Sequence, residues 1–265
     1  MPRPTAIVTA AALALGLVLP DSARAIAPGE ETVLSLSYLG IPTGEGRMIV
    51  GRPEGDILPI IFQARTSGAA GFLDIREHLV VYWDAESQLT RGSDLRAVEL
   101  GDFHQDRTRF DREKGEVHWT VQRKGKTKER RAACPADAHD ITGALLWLRL
   151  QPLEPGQRHE VTVCSGKSVF ALVADVQERE RVKTPAGTFD ALRMKVRTGL
   201  QGNFSTKRDT LLWLSDDPRH VLVQMSADFA VGSIVASLKS YKPGEAVAAA
   251  RAPAAEAGPE GTAAP

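Results

Sequence analysis

The sequence predicts a mostly β protein: a curved antiparallel sheet or incomplete β-barrel with one buried helix at about 140–150. Three stretches carry that prediction. In Lys183–Arg197 (KTPAGTFDALRMKVR), Pro185, Ala186 and Gly187 form a turn. Leu192, Met194 and Val196 then alternate with Arg193, Lys195 and Arg197, the period of a half-buried strand. From Glu160 onward, six strand-like segments follow one another: Glu160–Cys164, Ser168–Glu178, Phe189–Arg197, Arg208–Leu214, His220–Ala227 and Ser233–Tyr241. Turn residues divide them at Ser165-Gly166, Gly202-Asn203, Asp216–Pro218 and Gly232, the pattern of an antiparallel meander that curls or closes. Asp140–Leu150 (DITGALLWLRL) breaks the pattern, being apolar nearly all round at helical spacing, and a helix of that kind is buried. Asp140 is its N-cap, and Pro152 and Pro155-Gly156 stop it.

In chain order, residues 1–25 read as a cleaved secretion signal. Arg3 is the basic start, Ala6–Leu19 the apolar core, Pro20 the break and Ala23-Arg24-Ala25 the small-x-small cleavage site. Ile26, not a cysteine, stands directly after that site, so the expectation is an exported, periplasmic protein that is neither a lipoprotein nor membrane-spanning. Residues 26–242 are expected to form one β-rich, barrel-like domain. Thr32–Tyr38 reads as a strand, Gly40–Gly46 as a turn, and Arg47–Val50 and Ile57–Thr66 as strands. Phe72, Ile75 and Leu79 fall at helical spacing and predict a second short helix at about 71–79, before an extended Val80–Trp83. Arg96–Leu100, Arg107–Asp111 and Val117–Arg123 read as short strands, with a hairpin tip at Lys124-Gly125-Lys126. Residues 243–265, rich in Ala, Pro, Gly and Glu, read as a disordered tail.

Five segments together carry a resemblance: Tyr38–Gly46 (YLGIPTGEG), His139–Arg149 (HDITGALLWLR), Thr184–Leu192 (TPAGTFDAL), Leu212–Pro218 (LWLSDDP) and Gly232–Tyr241 (GSIVASLKSY). With them the chain resembles, over about residues 31–242, a family of bacterial exported proteins known as Domain of Unknown Function 3108. The resemblance implies a periplasmic, barrel-like β domain with an inserted helix, and it brings no catalytic residues. The chain departs from the family pattern at Asp217–Leu222 (DPRHVL).

Charge and chemistry narrow the function classes. Lys+Arg and Asp+Glu both number 33, a balance unlike that of a general nucleic-acid binder. The six histidines form no HExxH or HxH pattern, and no GxSxG elbow is present, so neither a metal nor a catalytic residue is assigned. No cofactor is implied. Cys134 and Cys164 are the two cysteines; in an oxidising compartment they form one disulfide or stand as two buried thiols. Between Arg107 and Arg131, ten Lys/Arg stand against four Asp/Glu. Arg123, Lys124, Lys126, Lys128, Arg130 and Arg131 are therefore candidate contacts to an anionic envelope surface, or else guards of a solvated sheet edge. Phe62, Tyr82, Phe110, Trp119, Trp147 and Trp213 are candidate lining residues for an apolar ligand, against the alternative of plain core packing. Three functions compete: a non-enzymatic carrier or sensor of a lipid or other apolar or amphiphilic molecule, an interaction module of envelope biogenesis, and a hydrolase.

Overall fold

A computed structural model of the chain describes residues 26–165, 168–198, 209–229 and 232–245. The expected signal peptide, the Gly202-Asn203 turn and residues 246–265 lie outside the described residues. Fourteen strands follow in order: β1 (Glu31–Tyr38), β2 (Ile41–Val50), β3 (Ile57–Thr66), β4 (Arg76–Asp84), β5 (Leu89–Glu99), β6 (Asp102–Asp111), β7 (Glu116–Arg123) and β8 (Lys126–Ala133), then β9 (Arg158–Ser165), β10 (Ser168–Thr184), β11 (Gly187–Thr198), β12 (Thr210–Ser215), β13 (Leu222–Phe229) and β14 (Gly232–Lys242). The α-helix α1 (Ile141–Arg149) stands between β8 and β9.

The strands form one antiparallel sheet of two meanders. β1 to β8 run in sequence order to one end and β9 to β14 to the other, with β14 paired on β1. The sheet curls until its ends meet without pairing strand to strand: the chain after β8 reaches β9 through a one-residue parallel bridge, His139 with Val163. The Cys134–Cys164 disulfide ties the same seam, its Cα atoms 6.2 Å apart.

The helix occupies the interior at one end. Asp140 caps it: its side chain accepts from the Gly143 N–H at 2.6 Å and from the Thr90 hydroxyl at 2.9 Å. Ala144 and Leu148, one turn apart, pack with Val163, Ala174, Met194 and Leu214 from β9 to β12. Leu146 packs the other way, with Val50, Ile60, Val81 and Trp83 from β2 to β4. A helix apolar on both sides is thus what two facing walls require. At its C-terminal end Arg149 forms a buried ion pair with Glu30, 2.6 Å apart.

Alternation sorts the strands' faces. Inward residues are mostly apolar, whereas the outer face carries ion pairs across neighbouring strands, including Arg47–Glu31, Arg65–Glu45, Arg107–Asp94 and Arg193–Glu178. A charged outer wall is the reverse of the apolar band of a membrane barrel. Among the described residues no helix is long and apolar enough to cross a membrane.

Three expectations are corrected. The helix at 71–79 is a 3-10 helix at Gly68–Leu73, and residues 76–79 already belong to β4. Leu79 keeps strand parity with Val81 and Trp83, and pairing with Phe62 of β3 outweighs the helical spacing. The turn expected at Gly40–Gly46 shrinks to Leu39 and Gly40, with Ile41–Gly46 already in β2. Residues 243–245, assigned to the expected tail, are held to the domain, the Glu245 N–H donating to the Pro28 carbonyl at 2.8 Å.

Candidate functional site

The last residues of β1, β3, β5, β7, β9, β11 and β13 lie at the end of the sheet away from α1. That end is a mouth. Its described tips expose Leu39, Leu100 and Phe103, and Ile41 and Ile234 stand at the neighbouring strand starts. The helix closes the opposite end only in part, and three adjoining cavities remain between helix and mouth.

The first cavity, about 420 Å³, lies between the Ile141–Leu145 face of α1 and the wall made by Leu172, Val196, Leu212 and Met225. The second, about 360 Å³, lies along β1 to β3, with Leu34, Leu36, Met48 and Phe62 on its walls and Arg149 and Thr32 at its inner end. Phe62, Thr142 and Leu145 line both. The third, about 520 Å³, is at the mouth, between Tyr38, Ile41 and Ile234, and shares Leu36, Ala64 and Glu77 with the second. Each is within the size range of small-molecule sites.

Lining chemistry is apolar with few polar groups. Glu77 follows the parity of Leu79 and Val81; loss of solvent around it holds its carboxyl above the usual range, and the Glu99 charge adds to that. Tyr241, opposite Thr32 on β14 but not on a cavity wall, also has its phenol raised by burial. Among the described residues, no group of three or more His, Cys, Asp or Glu is placed to hold a metal.

The candidate lining residues divide. Phe62 lines two of the cavities. Trp147 is half-buried and packs into the helix's surroundings, its ring centroid 6.2 Å from that of His139 and 6.3 Å from that of His159. Phe110 and Trp119 face inward but belong to a separate cluster with Val117, Ala138 and the disulfide. Tyr82 and Trp213 are corrected outright: both lie on the outer wall. The Tyr82 hydroxyl donates to Asp94 at 3.0 Å, and Arg109 stacks on its ring. Trp213 packs with Val182, Ala191 and Val223 and donates its indole N–H to Glu180. That outer cluster exists because the β10–β11 hairpin folds over the sheet, where the Ala186 N–H in its turn donates to the Leu238 carbonyl at 3.1 Å.

The basic candidates divide as well. Arg123 and Lys124 both pair with Asp102, at 3.6 and 2.9 Å. Lys126, Lys128, Arg130 and Arg131 project from β8, a terminal strand of the sheet, and are exposed with no ion pair among the described residues. Sequence reasoning missed Arg149, Thr32 and Glu77. The signal for Arg149 was present as the single cation within LLWLRL.

Fold and cavities together define a class: an incomplete β-barrel, plugged at one end by a helix, with an apolar lumen. The chain belongs to the DUF3108 family, proteins of unknown function, whose family model matches residues 34–239. Among solved structures it is similar to a β-barrel-like protein of Domain of Unknown Function DUF1849 from Brucella abortus, at 10% identity and a TM-score of 0.51, covering 82% of this chain and 97% of that one. It also matches a protein with YmcC-like fold from Bacteroides fragilis, at 11% identity and a TM-score of 0.34, covering 82% of this chain and 96% of that one. No curated protein matches the chain.

Proposed function

We propose that the chain is a non-enzymatic periplasmic carrier or sensor that takes an apolar or amphiphilic molecule into its lumen. The observation that carries this reading is the row of three adjoining apolar cavities left open between α1 and the mouth. Small barrels are either filled by side chains or hold one ligand. Here the helix fills one end and leaves space of ligand size at the other. Exposed apolar tips at the mouth give such a molecule a low-cost entry. The leader-like residues 1–25 and the disulfide support an oxidising, exported setting. Native mass spectrometry of protein purified from envelope extract tests the reading. A co-purifying amphiphile, lost from the variant Leu145→Trp that fills the space between the first two cavities, is expected. An empty protein that also fails to bind apolar dyes would sink it.

A second reading, an interaction module at an anionic envelope surface, is favoured by one observation: the four unpaired cations of β8. The two readings are compatible in one molecule, because the β7–β8 tip lies at the mouth.

A further inference from the structure

Leu39 and Leu100 stand where the backbone favours other residues. Three hairpins at the mouth close through two-residue loops, between Tyr38 and Ile41, Glu99 and Asp102, and Arg123 and Lys126. Each loop begins with a non-glycine residue in the left-handed region, Leu39 at φ 50°, Leu100 at 52° and Lys124 at 50°, followed by a glycine that is also at positive φ. Such loops favour Asn or Asp at the first position, and a bulky apolar side chain there is strained. Leu39 and Leu100 are also 62% and 73% exposed, and neither belongs to a core cluster. They therefore cost the folded protein twice, in backbone and in solvation. Just past each loop stands a further exposed apolar residue, Ile41 or Phe103. One row of paired residues, Ser35, Glu45, Arg65, Arg76, Val98 and Phe103, crosses β1 to β6, and both loops project beyond that row on the same side.

We propose that this rim is a lipid-docking surface: Leu39 with Ile41, and Leu100 with Phe103, enter the interface of an envelope bilayer, and the Lys124 tip lies against its phosphates. Charge and shape select that occupant. No charged residue interrupts the first tip from Ser35 to Gly44, and Tyr38 at its base is of a type enriched at bilayer interfaces. At the other two tips Arg123, Lys124 and Lys126 outnumber Glu99 and Asp102, a positive balance that anionic headgroups complement. A second copy, rim to rim, would set that balance against itself. The apolar residues also ride on separate hairpins, with β3 and β4 between them. A fluid interface admits separated tips, whereas a protein partner packs against a continuous face. The mouth cavity opens between Tyr38, Ile41 and Ile234, so the docked protein exchanges its ligand directly with the bilayer; that consequence alone rests on the lumen reading above.

The test uses the full chain and vesicles of phosphatidylethanolamine with phosphatidylglycerol, with and without bromine on the acyl chains. Leu39→Trp and Leu100→Trp place a reporter on each apolar tip, and Arg181→Trp places one near the end of β10, away from the mouth. Brominated chains are expected to quench the first two well beyond the third. Leu39→Asn with Leu100→Asn separates docking from folding, because Asn suits the left-handed position. The pair is expected to raise the urea midpoint while lowering vesicle partitioning by roughly tenfold for each leucine. Equal quenching at all three positions, or undiminished partitioning of the Asn pair, overturns the assignment. Loss of stability in that pair overturns it as well, since the leucines then serve the fold. Dimers that dissociate in the Asn pair, without vesicle binding, overturn it in favour of a second copy. Binding of a neutral apolar dye (N-phenylnaphthylamine) without vesicles reads the lumen separately: its absence sinks the carrier reading and leaves the docking standing.

Discussion

The disulfide between Cys134 and Cys164 joins the two ends of the sheet. Cys134 follows β8, the last strand of one meander, and Cys164 lies in β9, the last strand of the other. With His139 bridged to Val163 beside it, the covalent link completes a closure that strand pairing leaves open. The bond encloses a loop with a sequence separation of 30, which the chain-entropy account values at about 3–4 kcal/mol. Cys134→Ala with Cys164→Ala is therefore expected to lower stability by about that much in urea denaturation. Amide exchange should rise first in β8, β9 and the 134–140 segment. A uniform rise over the whole sheet would show that the seam has no separate identity.

Gly143 is where the cap of α1 tolerates no side chain. A Cβ there would lie 2.3 Å from the Thr90 Oγ1 and 2.8 Å from the Asp140 Oδ1. Those are the atoms of the cap itself, because the Asp140 Oδ1 accepts from both the Gly143 N–H and the Thr90 hydroxyl. Gly143→Ala is expected to cost about 2 kcal/mol through the clash and the weakened cap. Thr90→Ala removes the nearer obstacle, so the double variant should be less destabilised than the sum of the two singles. Additive losses in denaturant titrations would show that the clash is not with Thr90.

How legible all this was depends on the residue. The alternation after Pro185 marked β11 because its inward Leu192, Met194 and Val196 face a fully apolar wall while the outward partners are charged. Ile41–Gly46 did not read as a strand because Pro42, Gly44 and Gly46 mimic a turn. The structure gives Gly44 another purpose: a Cβ there would meet the Arg65 carbonyl at 2.1 Å, so the glycine admits a close approach of β3. Tyr82 and Trp213 misled because aromatic residues in strands mark packing without saying on which face. Trp213 is covered from outside by a hairpin whose fold-over depends on contacts distant in sequence. Arg149 was visible as a lone cation in an apolar run, but its partner Glu30 lies 119 residues away, and no spacing rule reaches that far.

His139 makes the seam pH-dependent. Its ring lies 6.0 Å from Trp83 and 6.2 Å from Trp147. Burial, with the nearby Arg112 charge adding to it, lowers its pKa to about 4, against 6.5 when exposed. Between those values the unfolded chain holds the extra proton, so stability falls as pH drops from about 6.5 toward 4, by at most about 1.4 kcal/mol per pH unit. His159, also lowered by burial, acts in the same direction. Asp140, raised by burial, acts in the opposite one, since the folded state then takes its proton more readily. His139→Gln is expected to flatten the fall in urea midpoint between pH 6.5 and about 4.5. An unchanged slope would mean that His139 is not held neutral in the fold.

The basic strand β8 gives the sharpest test of a membrane-surface role. Arg123 and Lys124 are engaged by Asp102, so the free charge resides in Lys126, Lys128, Arg130 and Arg131. The neighbouring β5–β6 tip exposes Leu100 and Phe103 beside Lys126 at the mouth end of β8, and Lys128, Arg130 and Arg131 follow along the strand away from that end. Binding to vesicles with anionic lipid should exceed binding to neutral ones and weaken with salt, as screening over about 8 Å at physiological ionic strength requires. Each cation near such a surface contributes about 1 kcal/mol, so replacing those four by Gln should lower affinity by up to about a thousandfold. Leu100→Ser with Phe103→Ser should instead weaken binding to anionic and neutral vesicles alike, because the apolar contribution does not depend on lipid charge. If the wild type shows no preference for anionic vesicles even at low salt, β8 is a charged edge that keeps the sheet from pairing with other chains, and its cations need no ligand.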